Sequence, residues 1–163
     1  MHMSNVVTAW ALSLHDELAV VAEDLGVGVR DIAAITLVAS HPEVPVDWLR
    51  ARIGLSQPGT VRLLDRLSAA GLVRRSAREG RTVHLAVTPA GQDLLARWTR
   101  QRDQAVHRLT SGLTGKQQAE LAELMALTLS TTDRARADAD QACRTCDWPA
   151  CGNDCPVDRS VRS

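Results

Sequence analysis

The stretch VDWLRARIGLSQPGTVRLLDRLSAAGLVRRSAREGRTVHLAVTPAGQDLL, residues 46–95, decides how the chain folds. Its middle reads as a helix. Ser56 is a favoured N-cap type, Pro58 falls in the first turn, where amides have no intrahelical partner, and Val61, Leu64, Leu67 and Ser68 recur at inward spacing. Arg62, Asp65, Arg66 and Ala69 fall on or near the opposite face. Gly71 ends the helix, and Leu72-Val73-Arg74-Arg75 starts a strand. From Thr82 to Thr88 the period becomes two, with Val83, Leu85 and Val87 on one side and Thr82, His84 and Ala86 on the other, a strand with one wet face. The polar turn Ala77-Arg78-Glu79-Gly80-Arg81 joins the two strands into a small wing with arginine at its tip.

Outward from this stretch the pattern is helical. Val46 to Arg52 is a short helix closed by Gly54. Before it, residues 4–25 carry Val7, Trp10, Leu14, Leu18, Val21 and Leu25 at helical spacing, and residues 29–40 form a second helix that stops at His41-Pro42. After it, Thr88-Pro89 opens a long helix to about Leu109, and Thr114 with Gln117 makes a capping box for a last helix rich in leucine. That apolar helix wants a partner. Residues 131–141 read as a helix extension or linker.

Helix, helix, short helix-turn-helix, two-stranded wing and long helices is the winged helix-turn-helix order, mainly α with a small β-wing (α+β). Gly54-Leu55-Ser56, Asp65-Arg66-Leu67, Gly71-Leu72-Val73, Gly80-Arg81 and Leu85 through Thr88 to Gly91 resemble the core of the MarR family of bacterial transcription regulators in order and near spacing. The resemblance spans about residues 5–130. It implies a homodimer whose N- and C-terminal dimerisation helices intertwine, on a pseudo-palindromic operator, with the fourth helix in the major groove and wing arginines in flanking minor grooves. It places groove contacts at Ser56, Gln57, Pro58, Gly59, Thr60 and Arg62 and the wing-tip arginine at Arg81; where the family's wing often opens with an acid, this chain has Ser76. It also implies a cleft for small, frequently aromatic or phenolic effectors. Trp10, His15, Trp48, Trp98 and His107 are the candidate lining residues, with core packing or exposed surface the plainer expectation for each.

Charge supports this reading independently of the resemblance. Formal net charge is zero, yet residues 50–81 hold eight arginines against Asp65 and Glu79, a window of +6. A basic stripe in an otherwise acidic protein is the footprint of a phosphate-binding surface, a solvated arginine face being the alternative. Arginine can bind guanine, glutamine adenine, and serine or threonine a base edge or phosphate, so Gln57, Thr60 and Arg62 are candidate readers. Arg78 and Arg81 are candidate wing contacts. Arg66, Arg74 and Arg75 suit phosphate or internal pairing, with Asp65 the expected partner of one of them.

The four cysteines form a separate signal, CRTCDWPACGNDC, with Cys143, Cys146, Cys151 and Cys155 spaced C-x2-C-x4-C-x3-C. Four thiolates this close can wrap one ion tetrahedrally, and zinc leads. An iron–sulfur cluster is the alternative, although the x4 gap departs from ferredoxin spacing, and a reversible thiol switch is the third reading. A bound metal would order a segment otherwise short of apolar residues.

With 163 residues, 45% of them hydrophobic and 23% charged, the composition is that of one folded core with an appendage, neither disordered nor fibrous. Phe and Tyr are absent, so Leu, Val, Ala and Ile must build the core. No apolar run suits a membrane span and the start lacks signal-peptide order, so a cytoplasmic protein is expected. No phosphate loop, nucleophile elbow or paired helical histidine ligand is present, and an enzyme is not expected. The chain divides into a dimerisation helix (1–28), a DNA-binding lobe (29–91), long helices completing the dimerisation region (92–131), and a linker with cysteine tail (132–163). The expected function is a repressor that binds double-stranded DNA as a homodimer, modulated by a small ligand or by the metal or redox state of the tail. Alternatives are an iron–sulfur or thiol redox protein using the helical body as a dimer scaffold, and an interaction adaptor working through the cysteine knuckle.

Overall fold

The computed structural model describes residues 2–77 and 83–162; Arg78 and Arg81, the two expected wing contacts, lie outside the described residues. In chain order the elements are α1 (Met3–Asp24), α2 (Val29–Ser40), β1 (Val44–Pro45), α3 (Val46–Ile53), α4 (Gln57–Ala69), β2 (Val73–Ala77), β3 (Val83–Val87), α5 (Pro89–Thr110), α6 (Gly115–Ser130), α7 (Arg136–Ala142) and α8 (Trp148–Cys151). Short polar side chains start the helices by accepting amide hydrogens that the first turn leaves unpaired. Ser56 Oγ accepts from Gly59 N at 3.3 Å and Thr88 Oγ1 from Gly91 N at 3.1 Å. At α6, Thr114 and Gln117 cap reciprocally, as their spacing predicts.

The sheet holds one strand more than the two expected. β3 lies in the centre, antiparallel to β2 with Arg75 opposite Leu85, and antiparallel to β1 with Val44 opposite Leu85. Two residues, one of them proline, show no alternation, which is why β1 leaves no sequence signature; proline is tolerated because β1 is an edge. The expected wet face is therefore only partly right: Val83 is exposed, Leu85 is buried, and His84, Ala86 and Val87 are half-buried.

The inward stripe of α4 also differs from the expected one. Thr60, Leu63, Leu64 and Leu67 are buried, whereas Val61 is exposed. Leu64 and Leu67 meet Ile32, Ile35 and Leu37 of α2, Leu49 of α3, Leu85 of β3 and Trp98 of α5 in one apolar cluster. Each such side chain contributes about 1.5–3 kcal/mol by leaving water, so this cluster fixes how α4 is presented. Gly91 locks α5 to the wing base: a Cβ there would strike the Leu72 carbonyl oxygen and Val87 Cγ1. Thr88 Oγ1 reinforces the junction by donating to the Gly71 carbonyl at 2.6 Å.

α1 packs along α5, but α6 buries none of its residues. Leu124 and Leu127 of α6 are 63% and 59% exposed, and Val6, Val7 and Leu12 of α1 are exposed as well. The segment expected as extension or linker is folded instead. α7 packs on α3, and the Arg134 and Val161 backbones pair in parallel, with Arg134 N to Ser160 O at 3.0 Å and Arg162 N to Arg134 O at 3.1 Å. Among the described residues no helix is long and apolar enough to cross a membrane.

Candidate nucleic-acid interface and cysteine recess

The basic window resolves into two kinds of arginine. Arg50 pairs with Asp47 at 3.2 Å, Arg52 with Asp140 at 2.6 Å, Arg66 with Asp31 at 2.5 Å and Arg75 with Asp65 at 2.8 Å. Arg62 and Arg74 are exposed and have no ion-pair partner among the described residues. Asp65 thus takes the expected role of arginine partner. Arg66 is tied inward: Asp31, which accepts its guanidinium, also accepts Gly28 N at the start of α2 at 2.9 Å. Arg52 leaves the stripe altogether, because its partner belongs to α7. Among the described residues the positive surface is therefore narrower than the residue count implies.

On the N-terminal half of α4, Ser56, Gln57, Pro58, Val61 and Arg62 are exposed together. Thr60 has to be removed from the expected readers. Its side chain is 0% exposed and its hydroxyl donates to the Ser56 carbonyl at 3.0 Å, so it stabilises the first turn and cannot reach a base. Val61 replaces it on the outer face, where a branched apolar side chain suits the thymine methyl. The sequence reading missed Val61 because a hydrophobic residue at helical spacing was assigned to the core; the neighbouring Thr60, taken for a polar surface residue, carried the competing phase. Ser76, standing where an acid was expected, donates from Oγ to Glu43 Oε2 at 3.2 Å, so the carboxylate comes from the loop before β1. Glu43 holds an unusual left-handed backbone (φ 62°) and donates its N–H to the Leu85 carbonyl at 3.1 Å.

The five candidate cleft residues are not brought together, and His107 is exposed near the end of α5. Trp98 is buried in α5, with its indole N–H donating to the Thr145 carbonyl at 3.1 Å. Trp48 of α3 packs against His41, ring centroids 4.6 Å apart, and under the Arg52 guanidinium at 3.8 Å. Trp10 is half-buried and His15 exposed, both on α1. The recess that does form, about 410 Å³, runs between Trp98 and Trp148 and is walled by Thr36, Leu95 and Cys146. Trp148 was missed because it sits in the tail, read from sequence as a separate unit. Its ring meets His41 edge-on at 4.9 Å, and its N–H donates to the Cys143 carbonyl at 2.8 Å.

The cysteines do converge. Cys143, Cys146, Cys151 and Cys155 line one recess of about 230 Å³ together with Asp140, Trp148 and Val157. Cys143 Sγ and Cys155 Sγ lie 3.9 Å apart, and Cys146 N donates to the Cys143 carbonyl at 2.9 Å, folding the C-x2-C pair into one turn. A hydrogen bond from Cys143 pulls the Cys146 thiol down to about 7 against the opposing cost of burial, with Arg102 and Arg144 adding to the pull. The same contact, with burial and the neighbouring sulfurs, pushes Cys143 up, and burial pushes Cys151 up. Among the described residues no three His, Cys, Asp or Glu side chains stand in ready ligand geometry.

The MarR family model matches residues 25–82. No curated protein matches the chain. Among solved structures the chain is similar to MepR, a transcription regulator of the Staphylococcus aureus multidrug efflux pump MepA, with a TM-score of 0.72, 15% identity, and 80% of this chain and 98% of that one covered. It is also similar to the Bacillus subtilis YusO protein, with a TM-score of 0.68, 20% identity and coverage of 77% and 93%. A Mycobacterium tuberculosis MarR family protein in complex with p-aminosalicylic acid gives a TM-score of 0.62, 20% identity and coverage of 77% and 96%. At such identities these neighbours establish the shared fold. Each is covered almost whole, whereas about a fifth of this chain, roughly the length of its cysteine tail, has no counterpart.

Proposed function

We propose, from the match of residues 25–82 to the MarR family model, that the chain is a DNA-binding transcription regulator that acts as a repressor on a pseudo-palindromic operator. The observation that carries the reading is the exposed row Gln57, Pro58, Val61 and Arg62 on the N-terminal half of α4. These residues are presented by a helix whose other face is locked into the core, while Arg66 and Arg75 beside them are engaged in ion pairs. A convex helix with one polar, cationic edge fits a major groove, and Arg62 supplies the fork that recognises guanine. Arg74, on the adjoining strand, is placed for phosphate.

Two copies are required to read a two-fold site. The exposed leucines of α6 and the exposed valines of α1 supply an apolar surface for the second copy. Burial of such surface is favourable at about 25 cal/mol per Å².

The test is enrichment of bound duplexes from a randomised pool. Arg62→Ala should weaken binding by about 1–3 kcal/mol and relax preference at one base position, whereas Arg74→Ala should weaken it uniformly and lower the salt slope by about one. Binding unchanged in both variants would reject the groove assignment. Sedimentation of the wild-type chain should show a dimer.

A small aromatic acid is the second part of the reading, supported by the recess between Trp98 and Trp148. Salicylate, titrated as the probe, should change tryptophan fluorescence in the wild type and not in Trp148→Ala. An identical response in the two would remove the recess as the ligand site.

A further inference from the structure

The recess in the tail contains more than four thiols. Asp140 also lines it, is 1% exposed, and has an Oδ1 that is buried without a hydrogen-bond partner among the described residues. Its Oδ2 takes the 2.6 Å bond from Arg52, and Arg136 stands 3.8 Å from Oδ1, beyond hydrogen-bond reach. An orphaned carboxylate oxygen beside converging thiols is an arrangement for a cation.

We propose that Cys143, Cys146, Cys151 and Cys155 hold one zinc ion, and that the Asp140–Arg52 ion pair transmits its occupancy to α3, the first helix of the helix-turn-helix. The proposal rests on the regulator reading for its consequence at DNA, but not for the metal site. The 3.9 Å between Cys143 Sγ and Cys155 Sγ is far beyond a disulfide bond of about 2.05 Å. It matches two thiolates on one tetrahedral ion, which stand about 3.8 Å apart when each bond is about 2.3 Å long. In a four-iron cluster, by contrast, each cysteine holds a different iron and the sulfurs stand farther apart. Cys146 and Cys151 are exposed, one in the bend after α7 and the other at the last residue of the four-residue helix α8, so they can close onto an ion that the first pair has captured. As four Zn–S bonds form, thiol protons pass to solvent, which makes uptake pH-dependent.

The connection to the DNA-binding lobe is short. Asp140 and Cys143 are three residues apart, at the end of α7 and at its C-cap. Fixing the sulfur fixes the last turn of that helix, and with it the carboxylate. Asp140 holds Arg52, whose guanidinium also donates to the Trp48 carbonyl at 3.2 Å. α3 then leads through Gly54 and Ser56 directly into α4. Zinc loading should therefore hold the helix-turn-helix in its binding arrangement.

The experiment uses the full chain, purified without oxygen and stripped by a chelator, with Zn(II) or Co(II) added back. Expected are one ion per chain, a thiolate-to-cobalt absorption band, and DNA binding about tenfold tighter with zinc, within ordinary allosteric coupling. Cys146→Ser should lose the stoichiometric ion. Arg52→Gln should keep it and lose the zinc response at DNA. Failure of the wild type to take up zinc, full zinc content in Cys146→Ser, or iron with acid-labile sulfide would each overturn the single-ion site. Equal DNA affinity with and without bound zinc would overturn the coupling alone. Absence of DNA binding in every metal state would instead sink the regulator reading, while the ion count still judged the site.

Discussion

The DNA-binding lobe and the cysteine tail touch along α3 and α5, but different forces hold them. The lobe is closed by apolar contact: Ile32, Ile35, Leu49, Leu64, Leu67 and Leu85 leave water together. Among the described residues of the tail only Ala139 and Val157 are buried apolar residues. What attaches it is largely polar, Arg52 to Asp140 and Trp98 and Arg102 to the Thr145 carbonyl, with Trp148 packed against the lobe's apolar cluster beside them. Apolar burial is insensitive to which small molecules or ions are present. Polar attachment is strong only while every partner stays in place. The lobe is thus held by burial shared among many side chains, and the tail by a few bonds that single substitutions can break.

The largest expected effect tests the lobe. Leu64→Ala should cost about 2–5 kcal/mol through lost burial and a cavity, read as a lower urea midpoint for the whole chain. Asp140→Ala should come next, since it strands the Arg52 guanidinium at a half-buried site, a loss of about 3 kcal/mol. That loss should show as protease cleavage within residues 134–162 at concentrations that spare the lobe. Were the lobe to be digested at the same rate, the two regions would be one cooperative unit and the contrast would fail.

Smaller substitutions sharpen the contrast inside the lobe. Ser56→Ala removes the cap of α4 and should cost about 1 kcal/mol in stability, together with weaker DNA binding because the frayed turn carries Gln57. Arg75→Ala breaks a largely exposed pair with Asp65 and should change stability by less than about 1 kcal/mol. A larger loss in thermal unfolding would show that the pair helps hold the wing to α4.

Most of the fold was legible because its signals are local. The caps at Ser56, Thr88 and Thr114, the stop at Gly71 and the switch to period two all act within a few residues. What the sequence concealed depends on distant partners. β1 exists because β3 offers an edge to Val44 and Pro45. Thr60 turned inward and Val61 outward because α4 sits where α2 and α3 leave room, a rotation that hydrophobic spacing alone could not fix. The pairing of Arg52 with Asp140 spans 88 residues and has no local trace. Nor did the tail reveal its attachment: Trp148 carries no periodic pattern, and its contact with His41 comes only from the fold. The cysteine spacing, in contrast, announced its cluster, because four side chains within a few turns cannot lie far apart.

The parallel pairing of Arg134 with Val161 has a topological consequence. The chain leaves the α6 end at residue 134 and returns beside the same point at residue 162, so the stretch between them is a loop whose two ends are adjacent. Closing the two ends against each other means that the stretch places its cysteines against α3 and α5 from a single anchored base rather than from a free end.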